Sequence, residues 1–204
     1  HCIMNVLTLD LGTATGWAVW TPLSTGQGTL ELATQDELAE QRKVGMERCL
    51  DIRFERLFNF VYDRVRSYNV SLVVFEDVVF TSSQAQAQLW GRLSGAVWGA
   101  VLKARSETSR RIDIQVVPVG ILKSYAKLGV NVDSKAWFKR SKELMRFLLQ
   151  KKHPEMLRDT SDDNEIDALW LLSFAKAVEQ GTQPFGSTWE RKQAEVKAKR
   201  EAKK

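Results

Sequence analysis

Asp10, Glu76, Asp163 and Asp167 stand where separate structural elements would end or begin. Asp10 closes the apolar run Val6-Leu7-Thr8-Leu9, and Glu76 closes a second run, Leu72-Val73-Val74-Phe75. Asp163 and Asp167 lie four apart at the start of a helical pattern. Carboxylates are hard oxygen ligands suited to Mg²⁺ or Mn²⁺. Two such cations held roughly 3.5–4 Å apart activate a water and stabilise the leaving oxygen of a phosphodiester. Strand ends and a helix start are positions at which such ligands can be held rigidly.

Each acid also has a plain structural role open to it. A charged residue that closes an apolar strand is either a turn former or a ligand, and Gly12 beside Asp10 fits both. Asp162, with Glu165 three residues later, has the pattern of a capping box, and acids favour the first helical turn through the macrodipole. Asp167 lies beyond that turn, directly before Ala168-Leu169-Trp170. Asp163 is one turn earlier on the same side, where two like charges repel unless something positive stands between them. Either a metal ion or a basic side chain from residues 103–152 would serve.

The elements that must position these residues follow from periodicity. Residues 4–10, 17–20 and 29–32 are predicted strands, with Gly12 and Gly16 as a turn and Pro22, Gly26 and Gly28 as hairpin punctuation. Residues 70–76 and 112–117 are two more strands, the first apolar enough to be covered on both faces. Leu50, Phe54, Leu57, Phe58, Val61, Val65 and Tyr68 form one stripe of a helix over 42–68. Further helices are predicted over 83–104, 133–152 and 163–179. Gly91, Gly95 and Gly99 recur every fourth residue on the first of these, a spacing that implies close approach of another backbone. The result is an α/β fold, a mixed five-stranded sheet with its first three strands antiparallel and helices on both faces.

The 204 residues suit one domain with a sizeable core. No apolar run reaches the ~18 residues of a membrane span, and no secretory leader opens the chain. Cys2 and Cys49 form neither a metal spacing nor a disulfide framework, as expected of reduced thiols in a cytosolic protein. His1, Cys2 and Ile3 are read as a cloning remnant before a native start at Met4. The net charge of +5 is unevenly spread: residues 103–152 carry 13 basic and 4 acidic groups, residues 153–188 carry 2 and 7. A basic stretch beside acidic clusters suits a protein that grips a polyanion and holds divalent cations, although solvated helix faces would give the same runs. His153, before Pro154, is expected to be structural or solvent-facing.

Four motifs, taken together, resemble the RuvC-type Holliday-junction resolvases, most closely their phage-borne branch. They are Asp10-Leu11-Gly12-Thr13-Ala14-Thr15-Gly16-Trp17-Ala18, Val74-Phe75-Glu76-Asp77-Val78, Val117-Pro118 followed by Ile121-Leu122-Lys123, and Asp163-Asn164-Glu165-Ile166-Asp167-Ala168-Leu169. The resemblance implies an RNase H-like nuclease domain over 4–181, followed by a basic C-terminal helix or tail over 182–204. It implies a homodimer that nicks four-way DNA junctions in pairs, using two Mg²⁺ ions per active site, with Mn²⁺ as a substitute. Asp10, Glu76 and Asp167 would be metal ligands. For the fourth ligand, the family's position falls on Asn164, and Asp163 one residue earlier is preferred. Lys135 resembles a lysine placed near the scissile phosphate, and Phe80 either the family's aromatic wedge or a packing residue. Lys123, Lys127, Lys135, Lys139, Arg140 and Lys142 would contact DNA backbones. The expected location is the cytoplasm of a bacterial or phage-infected cell, on the nucleoid.

Other readings use the same residues. Asp10-Leu11-Gly12-Thr13 also resembles the phosphate-binding turn of actin-like ATPases and sugar kinases, but no second Asp-x-Gly turn follows. A DNA-binding module without catalysis would not need all the carboxylates. A nuclease acting on flaps, forks or general branched DNA would need every one of them.

Overall fold

The computed structural model describes residues 4–45, 51–77, 83–130, 137 and 140–181. Strands β1 (Val6–Asp10), β2 (Ala14–Trp20) and β3 (Thr25–Glu31) form an antiparallel meander. Helices α1 (Gln35–Val44) and α2 (Ile52–Ser67) follow, then β4 (Leu72–Asp77), α3 (Gln84–Thr108) and β5 (Asp113–Pro118). The chain continues through α4 (Val119–Ala126) and α5 (Ser141–Lys152), passes a 3-10 turn at Pro154–Met156, and reaches α6 (Asp163–Glu179). The sheet order is β3-β2-β1-β4-β5, with β4 parallel to both β1 and β5. This is the expected mixed five-stranded sheet with three antiparallel strands first.

Side-chain alternation along the strands divides the core in two. Leu7, Leu9, Val73 and Phe75 face α2 and α3, where they meet Leu57, Val61, Val65, Leu93, Val97 and Val101. Val6, Leu72, Val74 and Val117 face the opposite way, toward α4, α5 and α6. Trp170, fully buried on α6, is central to that second layer, and its indole N–H donates to the Met145 carbonyl at 3.0 Å. Thr8 is also fully buried; its hydroxyl donates to the Ala168 carbonyl at 2.7 Å and so ties α6 to the middle of β1. A buried hydroxyl without that partner would cost ~1–3 kcal/mol.

Several boundaries differ from the sequence reading. Gly16 lies inside β2 rather than in a turn, paired with Asp10. Gly26 and Gly28 lie inside β3, where they pair with Val19 and Trp17 and leave room for the Trp17 ring. The predicted helix over 42–68 is two helices. Arg42 belongs to α1, which opens with a capping box between Thr34 and Glu37 and stops at Gly45 in a positive-φ conformation. Of α2's predicted stripe, Leu57, Val61 and Val65 are buried as expected, and Leu50 lies outside the described residues. Pro118 does not merely end β5; it leads directly into α4, its fixed φ being compatible with a helix start. Among the described residues, no backbone approaches the α3 glycines. A Cβ on Gly91 or Gly95 would meet nothing, and one on Gly99 would touch only the Phe58 ring at 3.2 Å.

Candidate active site

Asp10 and Glu76 occupy adjacent strand ends. The β1–β4 register pairs Leu9 with Phe75, so one further step sets Asp10 beside Glu76. Alternation places both on the face shared by Thr8 and Val74, which is the face that α6 covers. Asp167 comes to that place because α6 lies against β1 and β2 with its first turn over Gly16. A Cβ at position 16 would overlap the carbonyl group of Asn164, so only glycine admits the helix there. Sequence alone makes this glycine a turn former. Its register opposite Asp10 is the signal that marks it as part of the site.

The three carboxylates act on one another electrostatically. Burial, then the charges of Asp167 and Glu76, raise the pKa of Asp10 from 3.8 to about 8. Burial and then Asp167 raise Glu76 from 4.5 to about 7. Asp167 is raised from 3.8 to about 6, chiefly by burial, while Lys142 and Lys123 pull it down and Asp163 pushes it up. These carboxylates accept no hydrogen bond from another described residue. The group titrates as a set and retains protons near neutrality. Such acids are costly to ionise unless positive charge enters between them.

Two lysines supply part of that charge. Lys142 on α5 lowers the pKa of Asp10 and Asp167 and stands 3.4 Å from the Asp163 carboxylate. Lys123 on α4 acts on Glu76 and Asp167. Arg146 adds a 3.9 Å approach to Asp163 and donates to the Ser161 carbonyl at 2.6 Å. The repulsion foreseen between Asp163 and Asp167 is therefore offset by Lys142 and Arg146 of the basic segment. Asp163 thus pairs with Lys142 and Arg146 while its charge still acts on Asp167. Of the other basic candidates, Lys127 lies over the Trp137 ring at 4.7 Å, and Arg140 pairs with Glu143 at the start of α5. Lys135, Lys139 and Phe80 lie outside the described residues.

The α6 start is held differently from the capping box expected. Asp162 does cap it, accepting from the Glu165 N–H at 2.9 Å, and it also accepts from the Thr29 hydroxyl at 2.7 Å. Glu165 does not fold back on the cap. Its buried side chain accepts from Gln27 at 2.7 Å, from Arg158 at 2.9 Å and from the Ser161 hydroxyl. This network fastens the first turn of α6 to β3, and with it the aspartate one turn later. His153 is structural. Its Nε2 is 2.8 Å from the Ser173 hydroxyl, and its ring stands edge-on to Trp170.

Among the described residues, no three acidic, histidine or cysteine side chains are grouped closely enough to hold a metal ion as they stand. The donor set nevertheless fits a hard divalent cation. Three carboxylates from three elements act on one another electrostatically, accept no hydrogen bond from another described residue, and repel one another until a counter-charge is present.

No family model and no curated protein sequence matches the chain. Solved structures do. Thermus thermophilus RuvC in complex with a Holliday junction substrate superposes with a TM-score of 0.58 at 18% identity, covering 88% of this chain and 97% of that one. A second T. thermophilus RuvC structure gives 0.57, also at 18% identity, over 88% and 98%. The yeast mitochondrial Holliday junction resolvase Ydc2 gives 0.47 at 14% identity, over 84% of this chain and 77% of that one. The fold of this chain is that of RuvC, an α/β fold, over 88% of this chain and 97% of that one.

Proposed function

We propose that this chain is a divalent-metal-dependent endonuclease that resolves four-way DNA junctions. The observation that carries the reading is the meeting of Asp10, Glu76 and Asp167, from β1, β4 and α6, on one face of a RuvC-type sheet. A carboxylate set that is repulsive alone and made of hard donors has an evident use in holding cations, and the T. thermophilus RuvC of the same fold was solved on junction DNA.

In this reading Asp10, Glu76 and Asp167 hold the cations, and Asp163 or Asn164 completes the set from the helix start. Mg²⁺, with Mn²⁺ as its substitute, supplies water activation and charge stabilisation when bound. Asp10, on which both of the other acids act, would be the central ligand of the set. Lys123 and Lys142 lower the pKa values of these acids and would lie where the DNA phosphates approach. Lys127, Lys135, Lys139 and Arg140 extend this basic surface along the DNA backbone, where contacts give affinity and salt dependence without sequence reading. A two-fold homodimer would place two such sites on opposite strands and give paired nicks. Its setting would be the nucleoid of a bacterial or phage-infected cell.

The test is a gel assay with Mg²⁺ on synthetic four-way, three-way, flap and linear duplex DNA. Paired symmetric nicks in the four-way junction, absent with Asp10→Asn although binding persists, are expected. Cleavage of flaps and forks at the same rate would move the substrate to general branched DNA. Continued cutting by Asp10→Asn would remove the ligand assignment.

A further inference from the structure

A second feature lies at the same end of the sheet but on its other face. Helix α2 leads into β4, and α3 leaves it, so the N-termini of both helices sit at the end of β4 that carries Glu76. Between them and α1 is an open groove of about 400 Å³. Its floor is apolar, made by Leu38 and Leu89, and Gln88 stands at one side. Its walls carry Arg42, Arg53 and Arg92. Leu38 and Arg42 are four apart on α1 and so share a face.

The charges in this groove are only partly balanced. Asp51, the N-cap of α2, takes Arg53 at 2.8 Å and Arg92 at 3.2 Å. One carboxylate therefore serves two guanidinium groups. Arg42 is exposed and has no ion pair among the described residues. The groove is thus a positively charged rim over an apolar floor, with an amide at hand. A phosphate alone would have no use for the floor, and a duplex backbone would not reach it. An unpaired nucleotide meets all three features, its phosphate on the arginines and its base covering the apolar surface of the leucines.

We propose that this groove holds an unpaired segment of the DNA on which the carboxylate site acts. The inference rests on the nuclease reading and adds to it a second contact, across the end of β4 from Glu76. The chain runs from Asp77, the last residue of β4, to Gln84, the first of α3, which bounds the gap between the two places at ~25 Å. A strand cut at the carboxylates could continue into the groove if its bases were unstacked there. Such a contact favours DNA whose pairing is interrupted near the cleavage point.

The experiment measures binding without cleavage. Fluorescence anisotropy in EDTA compares a short oligothymidylate with a duplex of equal charge, on the full chain and on Arg42→Ala and Arg42→Ala/Arg92→Ala variants. The double variant is expected to bind the single strand on the order of 10-fold more weakly, with its salt slope reduced by ~1.4 for two lost phosphate contacts. Duplex binding should change less, and Arg42→Lys should restore most of the loss. Circular dichroism checks that each variant keeps its helices. Equal losses on single strand and duplex, or equal competition by polyglutamate, would overturn the proposal, as would unchanged single-strand binding. A cleavage assay on the same DNA with Mg²⁺ keeps the two ideas apart. Lost cleavage with arginine-dependent binding intact would sink the nuclease reading and leave the groove. Cleavage with arginine-independent binding would do the reverse.

Discussion

Asp10→Asn should make the metal-free protein more stable, although it removes the central residue of the site. Asp10 has a folded-state pKa of about 8 against an ordinary value of 3.8. The folded chain therefore binds the proton more tightly than the unfolded chain does. Its contribution to stability is greatest below pH ~4, and it declines as the pH rises through 8. At ~1.36 kcal/mol per pKa unit, holding Asp10 in place costs the fold about 4 kcal/mol at pH 7. The side chain is partly open to solvent, which reduces this to about 2 kcal/mol. Asparagine has nearly the same shape and never pays the ionisation cost. For a domain of this size the gain corresponds to ~4–8 °C in melting temperature. The assay is thermal unfolding in EDTA at pH 8 and pH 4.5. The variant should melt well above the parent at pH 8, and the gap should shrink several-fold at pH 4.5, where Asp10 holds its proton in the folded parent. Adding Mn²⁺ or Mg²⁺ should raise the parent alone, since a ligand that binds only the native state stabilises it. A variant less stable than the parent at pH 8, or a gap independent of pH, would show that the acids do not strain the fold and would remove the electrostatic argument for the metal site.

Other perturbations separate the parts of the site. Gly16→Ala drives a methyl into the Asn164 carbonyl and should cost ~2–3 kcal/mol as the first turn of α6 lifts; denaturant melts read the loss, and metal affinity should fall with it. Lys142→Ala removes a charge that lowers the pKa of both Asp10 and Asp167, so the acidic limb of the cleavage pH profile should move upward, with circular dichroism unchanged. Glu165→Ala leaves Arg158 and Gln27 without their buried partner and should destabilise by ~3 kcal/mol; Glu165→Gln, which can still accept from Gln27, should cost less in the same melts.

The sequence by itself determined the strands and most of the helices, because buried strands and amphipathic helices leave periodic apolar patterns. Val6–Asp10 and Leu72–Asp77 are continuous apolar runs closed by an acid, and both are strands. The candidate acids were legible for a related reason: packing alone seldom places a carboxylate at the end of an apolar run. Helix α1 has no such signal, and that of α4 is short, Ile121, Leu122 and Ala126. The Thr34–Glu37 capping box is present, but α1 buries no residue and so carries no apolar stripe. Pro118 resembles a stop and is a start.

Tertiary structure alone decided which acids meet. Strand register set Asp10 beside Glu76, and side-chain alternation put them on the α6 face. The missing Cβ of Gly16 let α6 descend far enough for Asp167 to join them, while Asp163 paired with Lys142 and Arg146. None of this has a local signature, since each approach depends on residues far apart in the chain or on a side chain that is absent. Local order is set by short-range sterics and periodicity, which a linear sequence records. The electrostatics of a site depend on which charges share a low-dielectric space, and only packing brings them together.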